Sequence, residues 1–409
     1  MLPQQEPSKE DMQWVQKQET KYDQERKEKL KTESYFNVEE YSEDLRDVSS
    51  GECLTPKTRF FKLSLDEGAA IVHKYQQESL NHKEKFTAHD EAVLSELEEK
   101  ISQFLNQHFP DQKAFCRLST RSPKDASLFS GSLCFENTKR SIKKQWLESF
   151  RKQKGRESPC EFIYKEEVDE FEQFVQHLGH ANEYLTFMKA SQQALSVSNA
   201  KEAIDILTHS ERVLRDLVFA LDYPSMFNMK LIFREWCPEL AYEYEFRGFV
   251  HNFELIALCQ YDNTCSVQEL IEHKDEIGQT ILNYYNLHVK PVLIKYAAVD
   301  TSSISKWNGE VIMDFAILQP SKKVIVVECN PFNAGTGASL FELDRDTIKE
   351  KYDKDGQFEF RIVTPDMYKE YLENGTHVWE SIFGSTRDEI VHEIVQLAQE
   401  RKGFFCVLV

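Results

Sequence analysis

Two carboxylates and an amide, Asp314, Glu328 and Asn330, have the types and spacing to hold a hard divalent cation. They lie on two β-rich runs, Val311 to Ile317 and Lys323 to Cys329, separated by Gln319-Pro320-Ser321, which reads as a hairpin. Side chains alternate along a strand, so Glu328 and Asn330 share a face. With the hairpin centred on Ser321, Asp314 and Glu328 each stand seven residues from the centre and oppose one another. Like charges so placed repel, and something positive must answer them. Magnesium carrying nucleotide phosphates would do so, and so would a structural arginine facing Glu328. A one-residue bulge would break the alignment. On the metal reading, alanine at 314 or 328 should abolish magnesium-dependent nucleotide binding and slightly stabilise the empty protein by removing one of two repelling carboxylates.

Basic residues cluster at strand ends: Arg117, Arg121 and Lys124 around one, Arg234 at another, Arg247 between Phe246 and Gly248 within a third. Triphosphates need such groups where water is excluded. Arg247 has apolar neighbours, so its guanidinium needs a partner: phosphate, or an ion pair with Glu243 or Glu245. Weaker signals have plainer explanations. Gly335-Thr336-Gly337 fits a turn, His177 and His180 fit a helix surface, and Cys406-Val407-Leu408-Val409 fits a buried strand better than a prenylation box ending in Val.

The elements that must position these groups follow from the pattern. Strands are expected at Arg59 to Leu63, Phe115 to Ser119, Lys230 to Arg234, Glu245 to Val250 and Glu254 to Cys259, the last two as a hairpin. Helices are expected from Ser64 to about Gln107 and through Thr138 to Val218. Capping boxes at Ser266–Glu269 and Thr386–Glu389 should open two more, the second burying Ile390, Ile394, Leu397 and Ala398. Antiparallel hairpins followed by helices imply an α+β architecture. The 409 residues suffice for several domains: a charged arm over 1–50, too polar to share a core, a first lobe over 51–137, a helical insertion over 138–200, a core over 201–345 and a helical segment over 346–409. A formal net charge of −19 argues against a nucleic-acid partner. No apolar run approaches a membrane span, the first thirty residues are charged, and the cytosol is the expected compartment. The nine cysteines are scattered singly, without zinc-site or disulfide spacing.

Three ordered motifs resemble the cell division cycle protein 123 family, a branch of the ATP-grasp fold: Cys116-Arg117-Leu118-Ser119-Thr120-Arg121-Ser122-Pro123-Lys124-Asp125-Ala126; Phe233-Arg234-Glu235-Trp236-Cys237 with Glu245-Phe246-Arg247-Gly248-Phe249-Val250; and Glu328-Cys329-Asn330-Pro331-Phe332, followed by Leu340-Phe341-Glu342-Leu343. The resemblance implies an ATP-grasp-like fold binding ATP and magnesium. Arg117 would replace the phosphate-binding lysine, and backbone groups of Glu235, Trp236 and Cys237 would hold the adenine edge. Lys124, Arg234 and Arg247 would lie at the phosphates, and Asp314, Glu328 and Asn330 at the metal. It further implies an assembly factor that binds the gamma subunit of translation initiation factor 2. A carboxylate-amine ligase working through an acyl phosphate, the usual ATP-grasp chemistry, stays open as the alternative.

Overall fold

A computed structural model of the chain describes residues 41–79, 86–110, 112–156, 162–297, 304–332, 336–341, 345–374 and 378–400. Gly335, Cys160, Glu342, Leu343, Cys406–Val409 and most of the expected arm lie outside them. The described strands are β1 Thr58–Lys62, β2 Ala114–Leu118, β3 Ser196–Val197, β4 Lys230–Glu235, β5 Glu245–His251, β6 Glu254–Gln260, β7 Val311–Ile317, β8 Val324–Pro331 and β9 Glu359–Arg361. They form two sheets, ordered β1-β4-β2-β3 and β8-β7-β5-β6-β9. Every pairing is antiparallel except β6 with β9. With helices packed on both sheets, the mixed α+β architecture expected from the sequence is the one observed. No helix among the described residues is long and apolar enough to cross a membrane.

Each sheet spends one face on a core and turns residues of the other toward a shared cleft, although Phe249, Ile256, Ala257, Cys259 and Ile312 on the second sheet's other face pack against Leu340, Phe341 and Val363. The first is backed by helices Leu65–Ser79, Ala88–His108, Ala200–Thr208 and Glu211–Leu221, whose apolar stripes close over Cys116, Leu118, Leu231 and Phe233. Alternation then sends Phe115, Arg117 and Arg234 to the cleft. The second buries Phe246, Met313, Phe315 and Val326 beneath helices Lys274–Tyr284 and Lys290–Ala297. Gly248 belongs to that buried face, because a Cβ there would stand 2.8 Å from both Leu255 Cδ1 and Phe315 Cε2. Arg247, between Phe246 and Gly248, therefore points the other way.

A third core joins helices Leu133–Gln153, Val168–Gln176 and His180–Ala194 to the C-terminal helix Val378–Glu400. That helix starts before the Thr386 capping box and puts Thr386 inside itself. Its buried face holds Ile390, Ile394 and Ala398, while Leu397 is exposed. The helix after Ser266 begins at Gln268 with Val267 as an uncapped N-cap, so the Ser266 capping box does not form either.

Residues 41–50 also depart from expectation. Tyr41 and Leu45 enter the second sheet's core, and the Tyr41 hydroxyl accepts the Cys329 N–H at 2.9 Å. Two of the three apolar residues of this acidic stretch are the ones used, Val48 staying exposed, and average polarity conceals them.

Candidate functional site

The expected opposition of Asp314 and Glu328 is observed, and it depends on a bulge. Near the turn Ile317 pairs Val324 and Phe315 pairs Val326, a register that would set Asp314 against Val327. One extra residue, Val327, restores the facing of Asp314 by Glu328. The bulge also turns the Val327 carbonyl toward the first sheet, where it accepts a bond from Arg234 Nη1 at 2.5 Å.

Arginines answer the two carboxylates. Arg247, opposite Asp314 in the β5–β7 register, donates from Nε and Nη2 to Asp314 Oδ1 and Oδ2, both at 2.8 Å. Its remaining Nη1 donates to the Gly337 carbonyl at 2.7 Å. The ion-pair partners considered for Arg247 on sequence were Glu243 and Glu245, and the structure corrects both. Glu243 pairs with Lys189 at 2.6 Å, and Asp314 takes the guanidinium. Arg117 reaches across the cleft from β2 and donates to Glu328 Oε1 at 2.8 Å. Asn330 Nδ2 lies 3.4 Å from Asp314 Oδ2, and Glu328 faces Asp314 in the register, so the three expected metal-binding residues are neighbours on one hairpin.

A cavity beside them is lined by Arg117, Lys124, Arg234, Glu235, Trp236, Cys237 and Glu328, with Glu245 and Tyr261, and not by Asp314, Asn330 or Arg247. Phe115, Met188, Leu195 and Leu240 make up an apolar part of the same lining. Lys124, solvent-accessible at the mouth, donates to the Tyr261 hydroxyl at 3.0 Å, and the Arg247 guanidinium lies 4.8 Å from that ring's centre. Asp125 steadies the Lys124 turn by accepting bonds from Ser210 Oγ and the Arg212 N–H. At the expected adenine strand, the Glu235 and Trp236 N–H groups bond the Lys57 and Lys113 carbonyls, so they serve the sheet and are not open to a base.

Sequence reasoning missed Glu245 as a site residue and missed Tyr261 altogether. Glu245 opens β5 within a motif that assigns it no role, and Tyr261 follows β6 outside any motif. Only the hairpin pairing brings the two strand ends together; the Tyr261 N–H donates to the Glu245 carbonyl at 3.0 Å.

The electrostatics leave the cavity ready for an anion. Burial pushes the Glu245 carboxyl up to about 7, with Asp314 and Glu328 adding to the rise and Lys124 opposing it. Burial also raises Asp314 against the pull of Arg247. At Glu328 burial is outweighed by the Arg117 charge, which holds the carboxyl well below its ordinary range. Near neutral pH Glu328 is thus charged and Glu245 partly protonated, with Lys124 and Arg234 joining the paired Arg117 and Arg247 as cations around them. Among the described residues no three His, Cys, Asp or Glu side chains gather as for a protein-only metal site. Two carboxylates and an amide still suit magnesium by donor type, provided that phosphate oxygens supply further ligands.

The model of the D123 family matches residues 183–379, the span that carries Arg234, Glu235, Trp236, Cys237, Arg247, Asp314, Glu328 and Asn330. That span, a little under half of the chain, is similar to the D123 family. The match begins within the expected helical insertion over 138–200, and it does not reach Cys116–Ala126. A translation initiation factor eIF2 assembly protein of Candida albicans is 26% identical over 179 residues, 43% of this chain and 46% of that protein. A CDC123-like protein of Acanthamoeba polyphaga mimivirus is 32% identical over 160 residues, 38% of this chain and 44% of that protein. The chain therefore spans about half the length of the curated relatives it matches. Among solved structures, Cdc123 from Schizosaccharomyces pombe aligns over 76% of this chain and 90% of its own, with 18% identity and a TM-score of 0.42.

Proposed function

We propose that this protein binds ATP with magnesium in the cleft between its two sheets, in the manner of an ATP-grasp fold, and acts in that state as an assembly factor for a protein complex. The observation that carries the nucleotide reading is the pairing at the cleft floor, where fully buried Asp314 and half-buried Glu328 are each held by an arginine from a different strand. Buried ion pairs of this kind are a poor source of stability, whereas arginines that can move from carboxylate to phosphate would charge the site for a ligand. Asp314, Glu328 and Asn330 would hold magnesium, which would neutralise phosphate charge. Arg117, Arg247, Arg234 and Lys124 would bind phosphate oxygens, and the apolar part of the lining would take the base and exclude water from it.

The partner we place first is translation initiation factor 2, through its gamma subunit. Support comes from the D123 match and from a relative named as an eIF2 assembly protein. The test is capture of the purified gamma subunit by the full chain, with and without magnesium ATP. A stable complex that tightens with nucleotide is expected, and no complex under either condition would overturn the assignment.

A further inference from the structure

The helix His180–Ala194 crosses the mouth of the cavity and is tied to both sheets. On the side of the second sheet, the Tyr184 hydroxyl donates to Asp262 Oδ1 at 3.4 Å and Lys189 pairs with Glu243 at 2.6 Å. On the side of the first, the chain runs from the helix into β3, which pairs with β2 at Ala114 and Phe115. Met188, Ser191 and Leu195 follow at helical spacing and line the cavity together with Gln192. None of the four carries a charge.

Two polar groups on this wall have no internal use. Ser191 is 7% exposed and its Oγ is buried with no hydrogen-bond partner. A serine within a helix ordinarily returns its hydroxyl to the carbonyl four residues earlier, and a buried hydroxyl left unbonded costs free energy. No hydrogen bond or ion pair among the described residues engages the Gln192 amide. The adjacent Gln193, by contrast, accepts a bond from Ser141 Oγ at 2.7 Å.

Building on the nucleotide reading above, we infer that this helix is the specificity-determining wall of the site, with the Ser191 hydroxyl and the Gln192 amide hydrogen-bonding the edge of the nucleotide base. The assignment follows from the division of the cavity. The cations of the lining, Arg117, Lys124 and Arg234, come from β2, the turn after it and β4, so phosphates belong with them, and the base then lies against the helix at the uncharged Met188 and Leu195. The Glu235 and Trp236 N–H groups are spent on the sheet, which leaves the helix to supply side-chain discrimination between bases.

Calorimetric titration of the full chain with magnesium complexes of ATP, GTP and tripolyphosphate tests this, using the parent, Ser191→Ala and Gln192→Leu. Each substitution should weaken ATP binding roughly three- to tenfold, the scale of one hydrogen bond, and alter the ratio of ATP to GTP affinity. Affinity for tripolyphosphate, which has no base, should stay the same. Unchanged ATP affinity and base preference in both variants would overturn the inference and leave the nucleotide site standing. An equal loss for all three ligands would also overturn it, since the helix would then act only through the shape of the cleft. A parent that binds none of the three would overturn the nucleotide reading itself and the inference with it.

Discussion

Replacing Asp314 by Ala separates two accounts of the cleft floor. If mutual repulsion of Asp314 and Glu328 dominated, the empty protein would gain stability, as the sequence alone suggested. The geometry predicts the reverse. Asp314 is fully buried and accepts two 2.8 Å bonds from Arg247, itself only 8% exposed. Truncation would leave a guanidinium in the interior with two donors unpaired, and breaking a buried pair from one side costs about 3–5 kcal/mol. The repulsion set against this is smaller, because each carboxylate already has its own arginine and the two neutralised pairs interact weakly. At about 2–4 °C per kcal/mol the melting temperature should fall by on the order of 10 °C. Thermal melts of Asp314→Ala, Arg247→Met and the double variant provide the assay. Each single change should destabilise, and the double should recover part of the loss, since removing both charges leaves no orphan. An Asp314→Ala protein that melts at or above the parent would refute the argument.

The same burial makes stability depend on pH. Glu245 keeps its proton in the folded state up to about 7, whereas the unfolded chain releases it near 4.5, so the empty protein should lose roughly 3 kcal/mol as pH rises between those values. The raised Asp314 carboxyl acts with the same sign. Glu328, whose pKa is lowered, contributes stability that is lost only at more acidic pH. Glu245→Gln should flatten the decline between pH 5.5 and 7.5 in thermal melts, and an unchanged slope would count against Glu245 as its source. Leu45→Ala should cost about 2–5 kcal/mol in urea unfolding, because Leu45 is wholly buried against the second sheet; a neutral effect would return residues 41–50 to the status of a detached arm.

Much of this was legible in the sequence because strands and hairpins leave a period of two. The strand pairs 245–251 with 254–260 and 311–317 with 324–331 were readable from β-rich runs around short turns. The facing of Asp314 and Glu328 was readable too, although for an incomplete reason. Counting from Ser321 gives the right partners only because Val327 bulges, and an inserted residue leaves no mark in the alternation. The partners of the arginines were out of reach. Arg247 meets Asp314 through the order of strands in a sheet, and Arg117 meets Glu328 across 211 positions of chain. Short or polar elements were also hidden: β3 has two residues and β9 three, and the box at Ser266 satisfies a local rule that the fold does not use.

The central claim is that the cleft between the sheets is a magnesium-dependent ATP site whose floor is Asp314 and Glu328. Calorimetry of the full chain with ATP, with and without magnesium, tests it most directly when Glu328→Gln is measured beside the parent. The account predicts saturable binding by the parent that strengthens with magnesium, and loss of that magnesium dependence in Glu328→Gln. Absence of binding at millimolar magnesium ATP, or equal affinity and equal magnesium dependence in the two proteins, would contradict it.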